Sequence, residues 1–107
     1  MKIKTAELIG DLLDLVVTRI EVWSAPSIGE LTDDEYYSSF WALAGPIIER
    51  EKIHWGITEY EGRIIYIASI FKRSTKPLTG PTPIVAAMRC YVASKLGDEV
   101  EIPEALI

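Results

Sequence analysis

The chain has 107 residues, 49% of them hydrophobic and 25% charged, with 16 acidic against 11 basic side chains and a net charge of −5. This length fits one domain spanning residues 1–107 with a real core, and the composition excludes wholesale disorder. The acid excess disfavours non-specific nucleic-acid binding, the single cysteine excludes an intrachain disulfide, and no apolar run reaches the length of a membrane span.

Taken in order, Met1–Lys4 is a basic start, but Glu7, Asp11 and Asp14 interrupt any signal-peptide core, so a cytosolic protein is expected. Thr5 is placed to cap a first helix over Ala6–Ile20. Its apolar arc (Leu8, Leu12, Leu15, Val16, Ile20) lies opposite Glu7, Asp11, Asp14 and Thr18. Gly10 falls inside that helix, at about 1 kcal/mol against alanine. A solvated face is a simpler account of the acidic stripe than a metal site.

Glu21-Val22-Trp23 reads as a short strand, and Ser24–Leu31, with Pro26 and Gly29, as a loop. Thr32 followed by Glu35 has the capping-box form, opening a second helix from Asp33 to Ala44. Its aromatic stripe is Tyr36, Tyr37, Phe40 and Trp41. Gly45-Pro46 ends it, and Ile47–Glu51 reads as a further short helix.

Ile53–Tyr60 alternates, with Ile53, Trp55 and Ile57 on one side. Glu61-Gly62 is a two-residue turn candidate, and Ile64–Phe71 returns as a β-branched, near-continuous apolar strand covered on both faces for part of its length. A lone hairpin is marginal in water, so a third strand is expected, and Val22-Trp23 is the candidate. Lys72–Pro77 is a polar loop. Thr82 caps a C-terminal helix with Pro83 at its first position, and Gly97 is placed to close it. This helix, over Ile84–Leu96, is apolar on most of its circumference and is the expected core element. The tail from Asp98 to Ile107 carries apolar residues able to dock on the domain.

Chemistry is sparse. His54 is the only histidine, so one chain cannot build a multi-histidine metal site, and Cys90 falls in the buried helix, where a structural thiol is expected. No catalytic residue, metal ligand or cofactor is assigned. Candidate binding residues are Trp41, as part of an aromatic partner surface, and the cations Arg50, Lys72, Arg73, Lys76 and Arg89, able to meet an anion. Local ion pairs with Glu49 and Glu51 are the simpler role for Arg50, and a carboxylate within the fold the simpler partner for Arg89.

Several stretches together point to a family: Met1–Gly10 with Leu13-Asp14, Trp41 followed by Gly45–Glu51, and Gly80–Pro83 with Ala86–Val92 and Gly97–Pro103. They resemble the NinX-like proteins of tailed phages and prophages across nearly the whole chain. Leu15 departs from the usual tryptophan after Leu-Asp, and residues 22–40 and 53–79 are divergent. More distantly, the order of parts is similar to small phage α/β-sandwich domains. The resemblance implies a phage accessory protein in the bacterial cytoplasm and no particular reaction.

The expectation is therefore an α+β domain: an antiparallel sheet of about three strands packed by the first and last helices, with an aromatic helix beside them. The expected function is a non-enzymatic interaction module binding a host or phage protein, with self-association open. The alternative is a binder of a small anionic ligand or nucleotide.

Overall fold

The computed structural model describes residues 1–24, 37–70 and 76–103. The elements run β1 (Lys2–Lys4), a 3-10 turn (Thr5–Glu7), α1 (Gly10–Ser24), α2 (Trp41–Arg50), β2 (Ile53–Tyr60), β3 (Arg63–Ile70), β4 (Leu78–Gly80), α3 (Pro83–Leu96) and β5 (Glu99–Glu101). The fold is α+β, with three α-helices and two antiparallel sheets among the described residues, one ordered β2-β3-β4 and one formed by β1 and β5.

The C-terminal helix organises the core. The Thr82 hydroxyl accepts from the Val85 amide at 3.1 Å, Pro83 occupies the first turn, and Gly97 closes the helix at φ 89°. Every residue from Ile84 to Val92 is buried. Alanines on one side of α3 allow the sheet to come close. At Gly80 a Cβ would stand 2.7 Å from the Ala86 backbone nitrogen, so β4 can pass the helix only as glycine. The sheet covers one side of α3, while α1 and α2 pack on others. Leu13, Val16, Val17 and Ile20 of α1 join this core, with Ala44 and Ile47 of α2.

Four sequence expectations are corrected. The first helix starts at Gly10 rather than Ala6, because Thr5 is otherwise engaged. Its hydroxyl donates to the Gly97 carbonyl at 2.6 Å, and the strand before it pairs with β5. Gly10 thus lies at the helix start, with φ 56°, a left-handed value suited to glycine. Glu21–Trp23 is helical, continuing α1, and the third strand is Leu78–Gly80. The second helix does not run from Asp33 to Ala44: residues 37–39 form a turn, the extended Phe40 (φ −120°, ψ 119°) breaks the run, and α2 opens at Trp41 and continues through Gly45-Pro46 to Arg50, so of the described stripe residues only Trp41 is helical. Burial of Ala44 and Ile47, three residues apart on one face, holds both halves of α2 against the core despite the missing amide.

The strands Ile53–Tyr60 and 63–70, the turn at Glu61-Gly62 and the docked tail agree with expectation, with Val100 and Ile102 buried. Double coverage of β3 does not extend to its start, since Ile64 is 68% exposed. Ser24, expected to open a loop, is the last residue of α1, and the rest of that loop (25–31), the capping box at Thr32–Glu35, Tyr36, the loop residues 71–75 and the Leu106-Ile107 tail lie outside the described residues.

Candidate functional site

The β2–β3 hairpin is longer than the rest of its sheet. Both strands have eight residues, yet β4 pairs only with Tyr66, Ile67 and Ala68. Glu61 and Gly62 both have positive φ (52° and 76°), the signature of a type I′ turn, which matches the strand twist and fixes the register. Ile53 faces Ile70, Trp55 faces Ala68, Ile57 faces Tyr66 and Glu59 faces Ile64. These side chains share one face, because residues two apart along a strand point the same way.

At its base this face packs on α3, and Ile53, Ala68 and Ile70 are buried. Towards the turn the cover ends. Trp55, Ile57 and Ile64 remain on the surface, with Tyr66 half-buried between them and the core. α2 adds Trp41 at its first residue, preceded by the exposed Phe40. The Trp41 and Trp55 rings lie 6.0 Å apart, and Tyr66 meets Trp55 edge-on at 6.1 Å, so three aromatic rings form a chain across α2, β2 and β3. The segment entering α2 is pinned from below, because the Ser38 amide donates to the Asp14 carboxylate of α1 at 2.7 Å; Asp14 and Thr18 are buried, so the acidic stripe of the first helix is not the wholly solvated face expected. Scattered surface apolar residues are ordinary, whereas a contiguous aromatic and aliphatic face is the composition of interface centres.

Of the described candidate cations, Arg50 and Arg89 are engaged within the fold. Arg50, at the end of α2, holds the Glu21 carboxylate through both terminal nitrogens at 3.2 and 2.8 Å, and its Nε donates to Glu51 at 2.9 Å. Its partner across the fold is therefore Glu21, with Glu51 as the local one. Tyr91 accepts from Arg50 and donates to Glu21, and Lys95 reaches Glu51 at 3.2 Å. This network clasps all three helices. The Glu21 hydrogen bond is the main cause holding the Arg50 pKa above its ordinary value. Burial raises the Glu51 carboxyl, but hydrogen bonds from Arg50 and Lys95 outweigh it and hold the group below the usual carboxylate range.

Arg89 is buried within α3, where its Nε donates to the Leu8 carbonyl and its Nη1 to the Thr79 carbonyl, each at 2.7 Å. Its partners are thus main-chain oxygens and not the carboxylate expected. Burial lowers its pKa. Lys76 is exposed, and Lys72 and Arg73 lie outside the described residues.

The remaining reactive groups do not assemble. Burial pushes the fully enclosed Cys90 thiol up to about 11, away from reactivity. His54 meets the cross-strand Ser69 hydroxyl at 3.1 Å on the opposite, exposed sheet face. Among the described residues no group of His, Cys, Asp or Glu is clustered to hold a metal ion, and no helix is long and apolar enough to cross a membrane. A shallow groove of about 250 Å³ between α1 and the β5 end is lined mainly by Leu15, Val16, Leu96, Val100 and Ile102.

Sequence reading found Trp41 but not its neighbours. Trp55 and Ile57 were recognised as one side of a strand, yet their exposure depends on where α3 and β4 stop. The available signal was the hairpin's length beside a three-residue third strand.

A phage protein family described as Bacteriophage P22, NinX matches residues 4–95 of the chain. No curated protein matches it.

Proposed function

This chain belongs to the bacteriophage P22 NinX family and is a phage accessory protein, and we propose that it is a non-enzymatic interaction module of the host cytoplasm, docking a host or phage protein on the Trp41–Trp55–Tyr66 face. The observation that carries the reading is the continuity of that face: three rings in contact, flanked by Ile57 and Ile64, which are 65% and 68% exposed. Tryptophan and tyrosine are the usual anchors of protein interfaces, because each removes a large area from water with few rotatable bonds. The alternative, an anion site, has less support, since Arg50 and Arg89 already spend their donors within the chain.

The test is a tagged pull-down from phage-infected cells, comparing the native chain with a Trp41→Ala, Trp55→Ala double variant. Both side chains are about half exposed, so the fold should survive, as circular dichroism would check. A stoichiometric protein partner should be captured by the native chain and weakened at least tenfold in the variant, the scale of one interface hot spot. Equal capture by both, or a co-purifying nucleotide in place of a protein, overturns the reading.

A further inference from the structure

β2 is the outer strand of its sheet among the described residues, with β3 on one side only. Edge strands of soluble proteins are normally guarded by lysine, proline, bulges or shortness. This one is eight residues long, pairs with β3 without interruption, and contains no Lys, Arg or Pro. Its middle is Gly56, where a Cβ would meet nothing within 4 Å, and strand glycines often mark the close approach of another backbone.

We infer that this edge pairs with the same edge of a second copy, antiparallel about a two-fold axis at Gly56. Several independent features select that register. A type I′ hairpin hydrogen-bonds Tyr60 to Arg63, so alternation turns the N–H and C=O groups of Ile53, Trp55, Ile57 and Glu59 outward. With the axis at Gly56 these outward residues meet one another, Trp55 facing the partner copy's Ile57 and Ile53 facing its Glu59. Each such pair exchanges two main-chain hydrogen bonds. Aromatic against β-branched is a favourable cross-strand pair. Shifting the axis to Ile57 would instead set Trp55 against Glu59. The product is a continuous six-stranded sheet whose two Trp41–Trp55–Tyr66 faces lie on one side and meet along the Trp55–Ile57 pairs, and the sedimentation and cross-linking below read this association without any partner protein.

Sedimentation of the full chain at 10–100 µM, roughly the range of modest self-affinity, should give twice the 12.0 kDa chain mass. Gly56→Cys should form a disulfide-linked dimer under mild oxidation, because two-fold-related residues at a non-hydrogen-bonded site come within disulfide reach, while Ile57→Cys should not. The native Cys90 is buried and does not compete. Ile57→Pro removes an outward amide without breaking the β2–β3 ladder and should give a folded monomer. A native chain of monomer mass across this range overturns the proposal. So does a dimer that cross-links at Ile57→Cys and not at Gly56→Cys, or one that persists in a folded Ile57→Pro chain.

Discussion

Arg89 shows how one side chain settles the meeting of three segments. It is 9% exposed, and its two strong hydrogen bonds end on main-chain carbonyls, Leu8 after the 3-10 turn and Thr79 in β4. A guanidinium suits this position because its planar fork keeps its charge and aims two donors in fixed directions. Replacing it with alanine would strand two acceptors and leave a void at a buried position. Each unsatisfied buried group costs about 1–3 kcal/mol, so Arg89→Ala should lose roughly 3–4 kcal/mol in urea denaturation. Arg89→Lys should recover only part of this, because an ammonium cannot repeat the fork. If both variants unfold like the native chain, Arg89 is not the clamp described. From the sequence, Arg89 was visible as a polar residue bordering an apolar arc, but its partners were not. Main-chain carbonyls carry no sequence signal, and those of Leu8 and Thr79 are brought to it only by the tertiary fold.

At the scale of elements, local punctuation was readable and its tertiary use was not. Thr82, Pro83 and Gly97 delimit α3 as their chemistry dictates. Thr5 has the same capping chemistry but donates to Gly97, because β1 and β5 pair beside it and tether it there. The strand expected at Glu21-Val22-Trp23 rests on two residues of high strand propensity, Val22 and Trp23, and tertiary context overrides it; in the fold Glu21 lies in the last turn of α1 and is gathered by Arg50 and Tyr91. That network makes the helix arrangement sensitive to acid. Glu51 has a folded pKa below its ordinary 4.5, so its contribution is fully present above that value and is lost as pH falls below it. Thermal melts should therefore show stability declining from about pH 4.5 downward, and Glu51→Gln should flatten part of the decline. Arg50→Ala should cost about 1–2 kcal/mol at neutral pH, a modest figure because the arginine is itself half exposed, although both carboxylates it serves are largely covered. A pH profile unchanged by both substitutions would contradict this role.

At the scale of the whole molecule, the core and the candidate docking face share one hairpin, and the boundary between them is where α3 stops covering it. Alternation in Ile53–Tyr60 revealed the face, but only the register with β3 joins Ile57 to Tyr66 and Glu59 to Ile64. The buried half can be probed from the alkaline side through Cys90 and Tyr91, neighbours on α3 that are both fully enclosed. Burial raises the Cys90 thiol from 9.0 to about 11, and burial with the Glu21 hydrogen bond raises the Tyr91 phenol well above its ordinary 10.0. For both, the unfolded chain releases its proton first, so the folded state holds more protons in the intervening range. The sign follows: stability is full below pH 9, falls as pH rises from 9 towards 11 through Cys90, and falls further above pH 10 through Tyr91. The Cys90 part is of the order of 3 kcal/mol when fully lost. Denaturation midpoints measured from pH 8 to pH 11 should trace this decline. Cys90→Ala should begin lower, for the volume removed, and stay level between pH 9 and 10. A native chain that keeps its full stability at pH 11 would mean that water reaches α3, and that the sheet does not close over the helix as described.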